Sequence, residues 1–133
     1  MLIHHTPHAI HPPFARYSQA VEVPPGARLL FCSGQLGIAP DADIPAGTEA
    51  QTRLCFANID AILREAGMGL EHIVRINAFV TGREHLAPYM AVRDEMFGAS
   101  PPASTLMIVS GFAREAFTVE IEAIAAAPAG DAS

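Results

Sequence analysis

The chain has few charged residues. Asp, Glu, Lys and Arg make up 17% of its 133 residues, whereas a typical soluble domain has roughly 25%. Half of the residues are hydrophobic. The length corresponds to one domain, residues 1–133, that can bury a core without disulfide staples. Because such a domain would have too little polar surface to cover itself alone, the composition predicts that part of the surface is buried against other subunits.

Long apolar runs and clusters of basic residues are also missing. No run approaches the roughly 20 residues of a membrane-spanning helix, and residues 1–13 contain neither Lys nor Arg nor the apolar stretch of a signal peptide. The net charge is −6, and the eight basic residues are scattered, whereas nucleic-acid binding depends on basic groups that displace counterions from phosphates. We therefore expect a cytoplasmic protein that binds neither membranes nor nucleic acid.

Cysteine is scarce, while histidine is concentrated at one end. Cys32 and Cys55 are too few for a disulfide framework and do not have metal-ligand spacing, so we expect both to be structural. Four of the six histidines lie within residues 4–11, among prolines that work against an ordered ligand cage. We predict that residues 1–12 are flexible or paired at a sheet edge. No metal site is predicted, and the role of the histidines stays open.

Periodicity predicts five strands, which cover residues 17–23, 28–33, 73–80, 104–109 and 117–126. A turn at 24–26 would join the first two strands as a hairpin, and a turn around 110–111 would join the last two. Gly34 is expected to end the second strand. Residues 128–133 are predicted to form a disordered tail.

Two helices complete the pattern. The first is predicted to begin at a capping box, Thr48-Glu49-Ala50-Gln51, and to stop at Gly67, and the second to cover residues 84–97. The order β-β-α-β-α-β-β is that of an α+β fold with a mixed sheet and both helices on one face. The uncovered face needs another chain, which again predicts an oligomer.

The last strand, Val119 to Ala125, alternates strictly and carries two carboxylates on one face, Glu120 and Glu122. Glutamate is a poor strand former, so this pair requires an explanation. A carboxylate at a cleft wall can orient or deprotonate a water molecule. Alternatively, the two side chains simply meet solvent or an arginine on a neighbouring strand.

Six stretches of the chain, in order and in register, resemble the Rid (YjgF-like) family of reactive-intermediate deaminases. They are Pro13–Val21, Cys32–Gly37, Gln51–Gly67, Ile73–Val80, Pro102–Thr105 and Val119–Ala125. The resemblance implies a chorismate-mutase-like subunit and a homotrimer with ligand clefts between adjacent subunits. It also implies hydrolysis of enamines and imines such as 2-aminoacrylate, which releases ammonia and a 2-keto acid without a metal or cofactor.

The resemblance also implies site residues. Glu120 would be catalytic and would hold a water molecule together with a backbone carbonyl near Leu106. The residues implied to bind substrate are Tyr17, Ser33, Gly34, Ser104, Thr105 and Leu106.

One position departs from the deaminating members, which read Pro-Ala-Arg-Ser where this chain reads Pro102-Ala103-Ser104-Thr105. In those members the arginine clamps the substrate carboxylate, and a serine cannot neutralise that charge. Binding of a small 2-imino acid in the usual pose should therefore be weak. Arg16, beside Tyr17, is a candidate replacement cation.

Two functions remain open at this stage. The first is a hydrolase or deaminase for C=N compounds whose small-metabolite substrate differs from the usual 2-imino acid. The alternative is a noncatalytic metabolite-binding or regulatory trimer that retains the cleft. The ribonuclease activity attributed to some relatives fits poorly with the acidic charge.

Overall fold

The computed structural model describes residues 1–130, which form a four-stranded sheet with two helices packed on one face. The α+β class and the two-helix arrangement are confirmed. Single turns of 3₁₀ helix lie at Leu70–His72 and Arg83–His85. In chain order, the strands and helices are β1 (Ile3–His5), β2 (Ala20–Glu22), β3 (Arg28–Leu36), α1 (Thr48–Glu65), β4 (Ile73–Val80), α2 (Leu86–Met96), β5 (Ala103–Ile108) and β6 (Val119–Ala127).

The spatial order of the main sheet is β3-β6-β4-β5. Strand β6 is antiparallel to both of its neighbours, and β4 and β5 are parallel. Helix α1 packs on β3 and β6, and α2 packs beside α1. The core lies between the sheet and α1, where fully buried side chains from both layers meet, among them Phe56, Ile59, Leu63, Ile76, Val80 and Ile121.

The two faces of the sheet differ in cover. In β6 the predicted alternation holds, because Val119 and Ile121 are buried while Glu120 and Glu122 lie on the other face. That second face also carries large apolar side chains in the open, including Phe31, which is 69% exposed. We call it the open face. Its apolar exposure agrees with the prediction that another chain covers it.

The predicted hairpin between residues 17–23 and 28–33 is wrong. Strand β2 has three residues and pairs with β1, whereas β3 has nine residues and pairs along its length with the nine-residue β6. A three-residue strand cannot satisfy the hydrogen-bonding edge of β3, so the C-terminal strand takes that place. The pairing also places part of the N-terminal segment, Ile3–His5, at a strand edge.

Gly34 does not end β3, as the sequence had suggested. The strand continues to Leu36, and the register with β6 shifts between Cys32 and Gln35. Ser33 and Gly34 therefore occupy a β-bulge, a feature that accommodates an extra residue and re-aims nearby side chains. This bulge is the local structure that positions the site described below.

The predicted capping box at Thr48 is also wrong. The helix N-cap is Gly47, and no side chain caps the helix. The Gln51 amide is instead fully buried, where it donates to the carbonyls of Pro45 and Ala116 and accepts from the backbone N–H of Thr118 at 2.9 Å. These bonds fix the chain just before β6. Gln51 therefore anchors a distant segment of the chain and does not cap the helix.

Other boundaries fall near the predicted ones. Helix α1 ends before Gly67, whose φ of 71° lies in the left-handed region. Helix α2 begins at Leu86, because residues 83–85 form the 3₁₀ turn. Strands β5 and β6 are not neighbours, since β4 lies between them. Of the predicted tail, residues 131–133 lie outside the described residues, and 129–130 form a turn. Within residues 1–130, neither helix has the length and apolar character needed to cross a bilayer.

Candidate functional site

Glu120 lies beside the β-bulge, on the open face. It is opposite Leu36 of β3 and Phe79 of β4, and it is half-buried. Gly34 makes room for it, because a Cβ placed on Gly34 would lie 2.8 Å from Cδ and Oε2 of Glu120. Within residues 1–130 the carboxylate makes no hydrogen bond or ion pair. The sheet thus holds a carboxylate against a glycine with its oxygens available to a ligand or water.

Glu122, two residues along the same strand, has a different environment. Its Oε1 accepts a hydrogen bond from Nδ2 of Asn77 on β4 at 3.0 Å. The two side chains of the alternating strand are therefore not equivalent. The structural interpretation fits Glu122, although its partner is an amide and not an arginine, while Glu120 remains the candidate for chemistry.

The two cysteines are buried and free, as expected of structural residues. Burial, with a smaller contribution from the negative charge of Glu120, raises the pKa of the Cys55 thiol to about 12. Burial also raises the pKa of Cys32. Both thiols are thus protonated at neutral pH and are poor nucleophiles.

A second group of predicted residues lines a pocket of about 250 Å³ between α2, β5 and residues 14–17. We call it the Tyr17 pocket. It brings together three predicted residues, Tyr17, Ser104 and Leu106. Its other lining residues are Phe14, Ala15, Met90 and Arg93.

Backbone and side-chain bonds hold the Tyr17 segment beside β5. The N–H of Ser18 donates to the carbonyl of Pro102 at 3.0 Å, and the N–H of Phe14 donates to the Tyr17 hydroxyl at 3.3 Å. The ring of His4 contacts both Ser18 Oγ and the carbonyl of Pro101. One of the N-terminal histidines therefore helps to anchor the wall of the pocket.

The inner wall of the Tyr17 pocket is polar. Arg93, 3% exposed, is the one charged residue of 1–130 that is buried, and its Cζ lies 5.6 Å from the ring centroid of Tyr89. Burial raises the pKa of Tyr89 to about 12, against the opposing effects of Arg93 and of the Ser104 hydroxyl. Ser104 thus lies close to Arg93, an arginine that belongs to α2.

Other predicted residues lie elsewhere. Thr105 is on the open face, opposite to the side of Ser104, and its hydroxyl accepts from Nη2 of Arg75 at 2.7 Å. Arg16 is exposed and lines a neighbouring pocket that also contains Asp94, not the Tyr17 pocket. Ser33 is exposed in the bulge, where it lines a pocket together with Asn77 and Glu122. Most of the predicted site residues of one chain therefore fall into two groups, one at the bulge with Glu120 and one at the Tyr17 pocket, and Thr105 and Arg16 belong to neither group.

The distance between these groups is large. Glu120 pairs with Phe79, which in turn pairs with Met107, so two strand spacings, about 10 Å, separate Glu120 from the strand that contains Leu106. A single water molecule cannot bridge that distance within one chain. Among residues 1–130, no three His, Cys, Asp or Glu side chains are grouped so that they could hold a metal ion.

Comparison with known proteins identifies the family. The family model for endoribonuclease L-PSP matches residues 6–127. The chain belongs to this family, whose members include the Rid and YjgF-like proteins. It is 36% identical over 115 residues to the RutC family protein YjgH of Escherichia coli, covering 85% of this chain and 84% of that protein. It is 33% identical to a RutC family protein of Pyrococcus abyssi, over 85% and 87% of the two chains.

Solved structures agree with this assignment. The chain resembles YyfB of Yersinia pestis, described as a Rid family protein of unknown function, with a TM-score of 0.83, 29% identity, and coverage of 95% of this chain and 98% of that one. It also resembles RidA of an Antarctic Psychrobacter, with a TM-score of 0.70 and 32% identity over 85% and 89% of the chains. The predicted membership of the Rid family is confirmed.

Sequence reasoning missed Arg93. The helical pattern that contains Tyr89, Met90 and Phe97 marks the buried face of α2, and Arg93 lies on that same face at i+4 from Tyr89. A charge on the apolar stripe of a helix was the available signal.

Proposed function

We propose that this Rid protein hydrolyses an enamine or imine of a small metabolite, releasing ammonia, in a cleft between subunits of a homotrimer. The observation that supports the proposal most directly is the carboxylate of Glu120, which lies against Gly34 without a hydrogen-bond partner in the described part of the chain, whereas Glu122 is bonded to the amide of Asn77. A carboxylate without a protein partner can accept a hydrogen bond from a water molecule and aim it at a substrate.

The chemistry requires little from the protein. A protonated imine carbon is already electrophilic, so attack by one oriented water yields a tetrahedral carbinolamine that expels ammonia and leaves a carbonyl compound. Orientation and removal of bulk water accelerate such a step without a cofactor. In this scheme Glu120 accepts a proton from the attacking water and returns it to the nitrogen, which leaves as ammonia when the C–N bond breaks. The Tyr17 pocket holds the rest of the substrate.

A cleft between subunits reconciles the two groups of site residues. Glu120 and the Tyr17 pocket are too far apart to act on one molecule within a chain, but the open face of one subunit can meet the Tyr17 pocket of its neighbour. The exposed Phe31 and Met107 on the open face supply apolar area for this association. We therefore propose the trimer that the family resemblance implies. A cytoplasmic location remains part of the proposal, although two relatives from Schizosaccharomyces pombe are named as mitochondrial.

The substrate should differ in its pose from the usual 2-imino acid. Ser104 occupies the position of the clamping arginine and offers only a hydroxyl, which is buried on the helix side of β5. Thr105 faces the other way, so it cannot assist Ser104 in one chain.

The alternative function is a noncatalytic metabolite-binding or regulatory trimer. The loss of the arginine favours it, because the residue that identifies the usual substrate is gone, while the pocket is retained. Under this alternative Glu120 would only contact a ligand, and no C=N compound would be consumed.

Ammonia release separates the two functions. Imines of varied side chain, with and without a carboxylate, are generated in situ by amino-acid and amine oxidases, and ammonia is followed with the native protein, heat-denatured protein or no protein. We expect the native protein to accelerate release from at least one imine. Rates equal to those of the denatured control across the whole series, from a protein that light scattering shows to be trimeric, would reject the enzyme and leave the binding function.

A further inference from the structure

Arg93 requires a partner that its surroundings only partly supply. A buried charge is costly unless it is paired and hydrogen-bonded. Its neighbour Asp94 offers one oxygen, Oδ1, at 3.4 Å from Nε and 3.3 Å from Nη2, and the Asp94 side chain is 41% exposed. These contacts are long for a charged pair, and they lack the two-oxygen, fork-to-fork geometry that guanidinium groups prefer.

Two buried hydroxyls lie in the same place. The hydroxyl oxygens of Ser104 and Tyr89 are inaccessible to solvent, and neither makes a hydrogen bond of normal geometry within residues 1–130. The Ser104 hydroxyl and Arg93 both act on the pKa of Tyr89, so the three groups lie close together. Buried polar atoms of native proteins almost always have a partner, and these hydroxyls therefore have hydrogen-bonding capacity left for a ligand. The Arg93 guanidinium can only donate, and each hydroxyl can donate as well as accept, so the three groups can together bind an anion.

The size and lining of the pocket limit the kinds of anion that can bind there. The volume is about 250 Å³, and Met90, Leu106 and Phe14 provide apolar walls. A planar carboxylate matches the guanidinium fork, and a short apolar chain attached to it would fill the remaining space.

We propose that the Tyr17 pocket binds the carboxylate of a small ligand through Arg93, assisted by the Ser104 hydroxyl. The positive charge thus comes from α2, where the deaminating relatives take it from the position of Ser104 on β5. The inference rests on the proposed function only in treating this ligand as a substrate. Under it, the substrate keeps a carboxylate but places it deeper, against the helix.

The test compares propionate with propionamide, which has the same shape without the charge. Calorimetric titration of the native oligomer should show binding of propionate and much weaker binding of propionamide. Arg93→Met retains most of the side-chain volume without the charge and should weaken propionate binding by at least about tenfold, because a charge-assisted pair is lost. Arg83→Met removes an exposed arginine of the 3₁₀ turn before α2 and serves as the matched control, with binding unchanged.

Methyl NMR of the wild type covers the case in which Arg93→Met fails to fold. Propionate should shift the methyl signals of Leu106 and Met90, and propionamide should not, while Leu29 on the open face stays unchanged. The inference is overturned if propionate does not bind at tens of millimolar, if the amide binds equally well, if folded Arg93→Met binds as the wild type does, or if the Leu106 and Met90 signals do not respond.

The proposed function can fail independently. If propionate does not bind through Arg93, the protein can still release ammonia from imines. If the protein does not hydrolyse imines, propionate can still bind through Arg93. Glu120→Gln distinguishes the two, because it should reduce turnover while propionate still binds at Arg93.

Discussion

Substitution of Gly34 by alanine tests whether the position of Glu120 matters. The new Cβ would lie 2.8 Å from Cδ and Oε2 of Glu120 and 3.1 Å from Cγ. Since ordinary contacts begin near 3.4 Å, the carboxylate must move by about 0.6 Å. The atoms that must move are the far end of a flexible side chain, so the fold can absorb the change.

The consequence for catalysis should exceed the consequence for stability. A misplacement of about 1 Å can cost roughly a hundredfold in rate, so a shift of this size should slow ammonia release by about ten- to a hundredfold. The melting temperature should change little, because only the far end of one flexible side chain has to move. The matched control is Gly111→Ala, where an added Cβ meets nothing within 4 Å.

The assay is ammonia release from the best imine of the screen, together with thermal melting of both variants. If Gly34→Ala releases ammonia at the wild-type rate while folded, then the carboxylate has no positional role and the reasoning about the bulge fails. If Gly34→Ala and Gly111→Ala lose activity equally, the effect is one of fold or assembly, which also contradicts the proposed role of Glu120.

Three further predictions concern stability and the Tyr17 pocket. Gln51→Leu should lower the free energy of unfolding by about 3 to 5 kcal/mol, because it leaves the N–H of Thr118 and two carbonyls buried without partners. Denaturant titration measures this change, and a loss below about 1 kcal/mol would contradict the prediction. The pKa of Cys55 is raised from 9.0 to about 12, so the thiol of the unfolded state ionises first as pH rises. The free energy of unfolding should therefore fall by up to about 4 kcal/mol between pH 9.0 and about 12. Cys55→Ala should make this fall less steep, and equal slopes for the variant and the wild type would refute the prediction. From the sequence alone, Ser104→Arg would be expected to restore the missing clamp. Arg93 lines the same pocket, so the substitution would bury a second guanidinium there and should lower Tm. An unchanged Tm with tighter propionate binding would contradict the inference.

The sequence predicted elements well where the pattern was local. Strand β4 was predicted over its full observed extent, residues 73–80, because its alternation directly reflects one buried face. The alternation of β6 likewise placed Glu120 and Glu122 on one face. The pairing of the strands was less accessible: residues 28–36 have no local feature that selects β6, about 90 residues away, over the adjacent β2.

The site was predicted in part for the same reason. Tyr17, Ser104 and Leu106 were predicted from the family resemblance, and they do share a pocket. Their separation from Glu120 was not visible, since it depends on the strand order. Arg93 was missed because a charge on a helix usually meets solvent, and only the tertiary structure, in which α2 and β5 line the Tyr17 pocket, shows that this one is buried.

The most direct test of the account compares Glu120→Gln with Glu122→Gln. Both substitutions preserve shape on neighbouring positions of one strand face, but within residues 1–130 Glu122 has a hydrogen-bond partner and Glu120 has none. The measurement is the rate of ammonia release by correctly assembled protein. Glu120→Gln should slow the reaction by at least about tenfold, since positioned acid–base groups contribute roughly 10²- to 10⁴-fold. Glu122→Gln should react at close to the wild-type rate. If both variants keep the wild-type rate while Glu120→Gln alone lowers Tm by several degrees, Glu120 is a structural residue, and the proposed hydrolytic role is contradicted.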